Sequence, residues 1–321
     1  MTLPSLPSNA HTALRKLNNP ATILTTATAA TYLTNSYDFS TLPLLKLKLI
    51  HIISFLIINI GSVSIPGRLD SELADQISAE SKGKRSSNPS PLAVNSGRTL
   101  VSPAPWAFSI WGIIYILELI SLLSLLTLSS ESPLISIYTK ITPYILLSSI
   151  YQSSWCATFR SKYVSPDSNI IEKICSPLFL TLTSVALSRV NSITNNFKND
   201  RINYIKYFLG LSIHFAWTAA ASLVNVNGIL AYSRVNLTLQ KYVAYISVLI
   251  AITLSYICKN NITVAFVLGW ALKACGDGMK TRIRVKEGNL VGAREMMVLS
   301  YAGAGVCVLG GLGRIKINEW F

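Results

Sequence analysis

Long stretches of Leu, Ile, Val, Ala and aromatic residues, bounded by short polar segments, set the rhythm of this chain. A bilayer core about 30 Å thick takes about 20 apolar residues of helix. Runs of that order lie near 47–65, 105–128, 137–158, 174–190, 205–231, 237–257, 262–279 and 296–313. The run at 174–190 is the shortest, and Pro177 marks the expected start of its helix. The runs are continuous rather than alternating, so they predict helices and not barrel strands. The expected fold is an all-α polytopic transmembrane bundle of about eight spans.

The flanks read differently. Residues 1–46 form a polar N-terminal tail rich in Ser, Thr, Ala and Pro, with Arg15 and Lys16 and no acid before Asp38. That pattern fits a segment targeting an organelle membrane, plastid or mitochondrion, and equally fits a plain disordered tail. Within the bundle at 47–313, residues 66–104 carry mixed charges followed by SSNPSP and are expected to form an exposed loop. Residues 314–321 close the chain as a short tail, and no segment reads as a soluble domain.

Composition sharpens this picture. Half of the 321 residues are hydrophobic and 13% are charged, and the mean hydropathy is +0.44, outside the range of soluble domains. The lipid bilayer is therefore the first partner. The net charge of +14 is spread through short loops, which argues against a nucleic-acid partner. The distribution of Lys and Arg weakly sets both termini away from the cytoplasm-like side. The densest basic patch, KTRIRVKEG at 280–288, fits either contact with anionic headgroups or a solvated interfacial loop.

Catalytic signatures are absent from the sequence. Five cysteines show no CxxC spacing, His11, His51 and His214 are far apart, and no metal site is indicated. Neither a phosphate loop, nor GxSxG, nor HExxH occurs. An enzyme reading thus has no motif behind it.

Polar and aromatic residues inside the apolar runs carry what chemistry there is. Phe108, Trp111, Tyr115 and Glu118 follow a 3, 4, 3 spacing that stacks them on one helix face. Lipid exposure of a carboxylate is costly, so Glu118 is expected to face a cavity or a neighbouring helix. In the fifth run Gly210, His214, Trp217, Ala221, Asn225 and Gly228 recur at helical spacing, as a packing stripe or a binding face. Trp270, Lys273 and Asp277 share a third face, where the last two can pair or the lysine can snorkel. Gly303, Cys307 and Gly311 supply a small-residue ridge for close helix packing.

PAPWAFSIWGIIYIL, at 103–117, resembles the TPAGFAFSIWGLIY segment of the larger tryptophan-rich membrane proteins related to the translocator protein (TspO/MBR) family. Gln152, Trp155 and Phe159 look like that family's Asn-x-x-Trp-x-x-x-Trp helix, and Trp217, Ala221 and Asn225 match its GWxxxAxxxN helix. FVLGWALKA, at 266–274, is similar to its penultimate helix, and order and spacing agree over roughly residues 47–313. The chain departs at Gln152 for Asn, Phe159 for Trp, Ala216 for Gly, and Glu118 for an aliphatic residue. The N-terminal tail lies outside the resemblance, and the compact translocator proteins have five spans.

The resemblance implies a receptor or sensor-like protein holding a flat hydrophobic ligand, a porphyrin or other pigment, sterol or carotenoid, between aromatic-lined helices. Candidate ligand-binding residues are Phe108, Trp111, Tyr115, Glu118, Trp155, His214, Trp217, Asn225 and Trp270. Two alternatives stand beside it: a secondary transporter of a small hydrophobic or amphipathic molecule, and a structural subunit of a membrane complex or homo-oligomer.

Overall fold

A computed structural model describes residues 19–60, 99–159, 168–195, 200–258, 261–284 and 292–320. Among these the regular structure is helical throughout: α1 (Pro20–Ser36), α2 (Leu44–Ile52) running on as a π-helical segment (Ile53–Ile60), α3 (Ile110–Leu126), α4 (Pro133–Thr158), α5 (Ile170–Thr194), α6 (Arg201–Tyr207), α7 (Leu209–Tyr232), α8 (Leu237–Ile257), α9 (Ile262–Arg284) and α10 (Ala293–Trp320). The protein is an all-α polytopic membrane bundle.

Six of these helices are long and apolar enough to cross a bilayer: Pro105–Leu126, Ile170–Thr194, Leu209–Tyr232, Leu237–Ile257, Ile262–Arg284 and Ala293–Gly313. They coincide with six of the eight predicted runs. The run at 137–158 is also helical, but α4 carries Ser148, Ser149, Gln152 and Thr158 on its buried face, so its polarity is that of an interior helix. The run at 47–65 is helical as far as Ile60, and its last residues lie outside the described ones. So does most of the expected loop at 66–104.

Two expectations change. Residues 20–36, read as part of a polar tail, form a helix capped by Asn19, whose side chain accepts from the Thr22 amide at 2.9 Å. Ile23, Ala27 and Thr34 bury on the bundle, and the Thr31 hydroxyl meets that of Tyr151 on α4 at 2.7 Å. Second, α5 begins at Ile170 and not near Pro177, which sits inside the helix. A reciprocal cap starts it: the Glu172 amide donates to Asn169 at 3.0 Å, and the Asn169 amide donates to Glu172 at 2.9 Å.

Apolar side chains that remain exposed fall where lipid is the expected neighbour. On α3, Ile113, Ile116, Leu119, Ile120 and Leu123 face outward, while Ile110, Ile114, Leu122 and Leu125 are buried. Helix α7 is central, packing against α3, α5, α8 and α9. Small residues set its closest approach: a Cβ added at Gly210 would stand 2.9 Å from the Leu117 Cβ and 3.0 Å from the Glu118 amide nitrogen. The ridge on α10 packs as expected, with Gly303 against Ile252 and Leu272, Gly311 against Ala265, and Cys307 buried.

A strap precedes α3 and lies along α9. The Ala104 amide donates to the Ala274 carbonyl at 2.8 Å, the Cys275 thiol to Val101 at 3.1 Å, and the Arg282 guanidinium to Thr99 at 2.8 Å. Gly278 permits this, because a side chain there would collide with the Ser102 carbonyl. The strap fixes where the 3₁₀ turn Pro105–Ser109 ends, and hence where Phe108 and Trp111 project.

Candidate functional site

Six aromatic rings converge inside the bundle: Phe108 from the turn before α3, Trp111 and Tyr115 from α3, Trp155 and the capping Phe159 from α4, and Trp217 from α7. Trp111 lies nearly parallel to Tyr115 (centroids 5.7 Å apart) and to Trp155 (6.2 Å). Trp217 meets Trp111 edge-on at 6.4 Å and Phe108 at 6.0 Å, and Phe159 stacks on Trp155 at 5.3 Å. Spacings of this kind are those at which ring quadrupoles attract. All of these rings but Tyr115 wall one side of a cavity of about 90 Å³.

The opposite wall is aliphatic, from Val248 and Ala251 of α8 and Ala271 and Leu272 of α9, and the strap closes one end with Val101 and Pro103. Polar atoms reach this aromatic chamber mainly through Asn225 and Ser247. The Asn225 carboxamide is held in place: its oxygen accepts from Ser176 at 2.8 Å and from the Trp155 indole at 3.4 Å, and its nitrogen donates to Ala221 at 3.0 Å.

Behind Trp111 lies a second chamber of about 40 Å³ with a different lining. Glu118 and His214 face it and are bonded to each other, Oε1 to Nδ1 at 2.7 Å, with both side chains almost fully buried. His51, Ser54, Ser121, Ser148 and Tyr138 also line it. The π-helical segment brings Ser54 there, a backbone form often found at functional sites. The Trp111 ring stands edge-on to His214 at 5.6 Å, so one aromatic layer separates the chambers. Gln152 reaches the same layer, donating to the Tyr115 hydroxyl at 3.2 Å.

The nine residues singled out from sequence therefore divide. Phe108, Trp111, Trp155, Trp217 and Asn225 line the aromatic chamber; Glu118 and His214 line the polar one; Tyr115 belongs to the layer between them. Trp270 lies apart from both. Its ring packs edge-on against Trp106 at 4.7 Å and its indole donates to the Ala107 carbonyl at 3.3 Å, which helps to hold the strap. Beside it Lys273 and Asp277 do pair, at 2.7 Å, and Asp277 also accepts from Trp106 at 3.1 Å and Tyr301 at 2.7 Å. The lysine ammonium sits 4.9 Å above the Trp106 ring.

Sequence reasoning missed two parts of this arrangement. The strap and α9 wall gave no signal, since Val101, Ala271 and Leu272 are ordinary apolar residues. His51 was treated as isolated from His214, yet both line the polar chamber. The i, i+3 spacing of His51 and Ser54 in an otherwise apolar run was the legible clue. Among the described residues no group of three His, Cys, Asp or Glu side chains could hold a metal ion.

Searches among curated proteins and among solved structures return no match to the chain. The family model for TSPO-like proteins does match, over residues 85–309, more than half of the sequence. That stretch contains the strap, α3 through α9 and most of α10, and with them every ring that walls the aromatic chamber. This integral, multi-pass membrane protein belongs to the TSPO-like family.

Proposed function

We propose that this protein is a membrane receptor for a flat hydrophobic ligand, held in the aromatic chamber between Trp111, Trp155 and Trp217. The observation that carries the reading is the chamber itself: a cavity inside a lipid-embedded bundle, with indole and phenyl rings on one wall, aliphatic side chains on the other, and an anchored carboxamide at its edge. Flat ring systems stack on such walls, and a few fixed polar groups orient them.

Size restricts how the ligand enters. The cavity of about 90 Å³ is well below the roughly 300–1,000 Å³ of pockets that enclose drug-sized molecules. A tetrapyrrole, sterol or carotenoid therefore binds by parting the rings. The Phe108–Trp217 and Trp111–Trp217 contacts that would open are worth about 0.5–1.5 kcal/mol each, and an inserted ring system restores equivalent contacts on both faces.

Purification in mild detergent, followed by absorption and mass spectra of whatever remains bound, tests the proposal. A pigment or sterol retained by the parent and lost from Trp217→Ala at equal folding supports it. Retention by both proteins would put the ligand elsewhere. Stoichiometric partner proteins with no small molecule would favour a subunit of a membrane complex.

A further inference from the structure

The polar chamber is too well furnished to be only a packing interface. Among its hydroxyls and ring nitrogens, several are already committed. Thr142 donates its one proton to the Tyr138 carbonyl at 2.6 Å, so it accepts from His51 Nε2 at 3.0 Å. Ser121 donates to the Tyr207 carbonyl at 2.8 Å, so it accepts from the Tyr138 hydroxyl at 2.9 Å. Two buried groups are left over: His214 Nε2 and the Ser54 hydroxyl have no hydrogen-bond partner among the described residues, with His214 2% and Ser54 1% exposed. Buried polar atoms without partners are costly, and they mark places where something else supplies the bond.

Charge says what that something is. Glu118 is the acid facing the chamber, and no Lys or Arg lines it among the described residues. A carboxylate at this depth is strongly disfavoured unless a cation or a set of donors meets it. In the neutral tautomer of His214 that donates Nδ1–H to Glu118, Nε2 carries a lone pair, and with the Ser54 hydroxyl and the carboxylate it makes a set of acceptors on one chamber. The volume of about 40 Å³ holds about three or four water-sized species at roughly 10–15 Å³ each. The acceptors suit a small cation that donates hydrogen bonds, and a nitrogen lone pair among them favours a donor over a bare alkali ion.

We infer that the polar chamber between the π-helical segment, α3, α4 and α7 is a binding site for a small hydrogen-bond-donating monovalent cation of the ammonium class, with Glu118, His214 and Ser54 as its acceptors. This site is separate from the aromatic chamber and does not depend on what that chamber holds.

The test is thermal unfolding of the full chain in detergent at one pH and constant ionic strength, titrated with ammonium, sodium or tetramethylammonium chloride. Ammonium should raise Tm with concentration, as any species binding only the folded state does, while the other two cations should leave it flat. Ser54→Ala removes one acceptor and should raise the half-effective ammonium concentration by about 10-fold or more, and Glu118→Gln should abolish the effect. If Glu118→Gln does not fold, Ser54→Ala carries the test alone. Equal melting curves in all three salts would overturn the proposal in favour of water alone, and a sodium effect matching that of ammonium would overturn the donor requirement.

Discussion

Gly210→Ala tests whether close contact between α7 and α3 holds the Glu118–His214 pair together. The added Cβ would lie 2.9 Å from the Leu117 Cβ, 3.0 Å from the Glu118 nitrogen and 3.1 Å from the Leu117 carbonyl carbon. Non-bonded atoms pack best at about 3.5–4.0 Å, so the helices must part by about 0.5–1 Å. Two of the three obstructing atoms are backbone and cannot swing aside. Overpacking of this kind costs about 1–3 kcal/mol, against which the gain from replacing a helical glycine returns about 0.5–1 kcal/mol. A net loss of about 0–2.5 kcal/mol follows from those two terms. The Glu118–His214 bond at 2.7 Å, on the next turn of α7, would stretch to the edge of hydrogen-bond range, about 3.2 Å. The readout is thermal unfolding followed with a thiol-reactive dye, since Cys156, Cys175, Cys275 and Cys307 are all buried. Gly112→Ala on α3 is the matched control: nothing lies within 4 Å of its Cβ position, so it should stabilise by up to about 1 kcal/mol. Gly210→Ala melting at or above the parent would refute the argument. A loss of Tm in a Glu118→Leu background smaller than in the parent would show that the pair is coupled to the contact, and an equal loss that the clash alone carries the cost.

Glu118→Leu alone strands His214 Nδ1 and should cost about 1–3 kcal/mol, more than Glu118→Gln, which keeps an acceptor; melting temperatures of the two variants decide. Asn169→Ala should destabilise by about 0.5–2 kcal/mol through loss of the cap on α5, read from the same dye assay. At Gly276 an added Cβ would come within 2.7 Å of the Tyr301 ring, so Gly276→Ala should displace the Tyr301 hydroxyl from Asp277 and lower Tm, whereas Gly305→Ala, with open space around it, should not. For ligand retention, Trp111→Ala and Trp217→Ala should lose whatever the aromatic chamber holds, while Trp270→Ala keeps it at the expense of strap stability; retention by all three at equal folding would remove the chamber from consideration.

How much of this was legible before any coordinates depends on which interaction fixes each element. Bilayer-length apolar runs located α3, α5 and α7 through α10 because in lipid a helix must satisfy its own backbone. Local chemistry was legible but underused: Asn169 three residues before Glu172 is a capping-box signature, and it outweighs the breaking tendency of Pro177, whose ring fits inside a helix whose neighbours support it. Asn19 followed by Pro20 is likewise a helix start, yet the Thr-rich face of α1 resembles a tail until the Tyr151 hydroxyl is there to donate to Thr31, whose own proton goes to the Ala27 carbonyl. Periodicity gathered Phe108, Trp111, Tyr115 and Glu118 onto one face correctly, but a single helix face can serve two chambers, and nothing in its spacing shows where the boundary falls. That boundary is made by Trp155, His214 and Gln152 from other helices. Trp270 shows the converse: its type and register suggested a binding face, while the strap that occupies it is recognised only once Ala104 is seen bonded to Ala274.

The central position of α7 follows from the same physics. Between helices in lipid there is no large hydrophobic driving force, so close packing and interhelical hydrogen bonds select the arrangement. Along α7 such bonds occur at successive levels. Ser212 joins Asn191 and Asn261 beneath the Tyr204 hydroxyl, His214 meets Glu118, Asn225 receives Ser176 and Trp155, and Asn227 donates to Ser247 at 2.8 Å. Those partners belong to α3, α4, α5, α6 and α8 and to the residue before α9, so one helix sets the depth of nearly all the others. A bond of this kind contributes about 0.6 kcal/mol on average in a membrane, with a maximum near 1.7, which makes each one replaceable and the set restrictive: sliding α7 by a turn would break all four levels at once. At one end of this ladder Ser212, Asn191 and Asn261 align helices, while at the other Asn225 and Ser247 also face the aromatic chamber. At the level of His214 the bonded partners leave room for the polar chamber, and from Trp217 to Asn225 the same helix face borders the aromatic one.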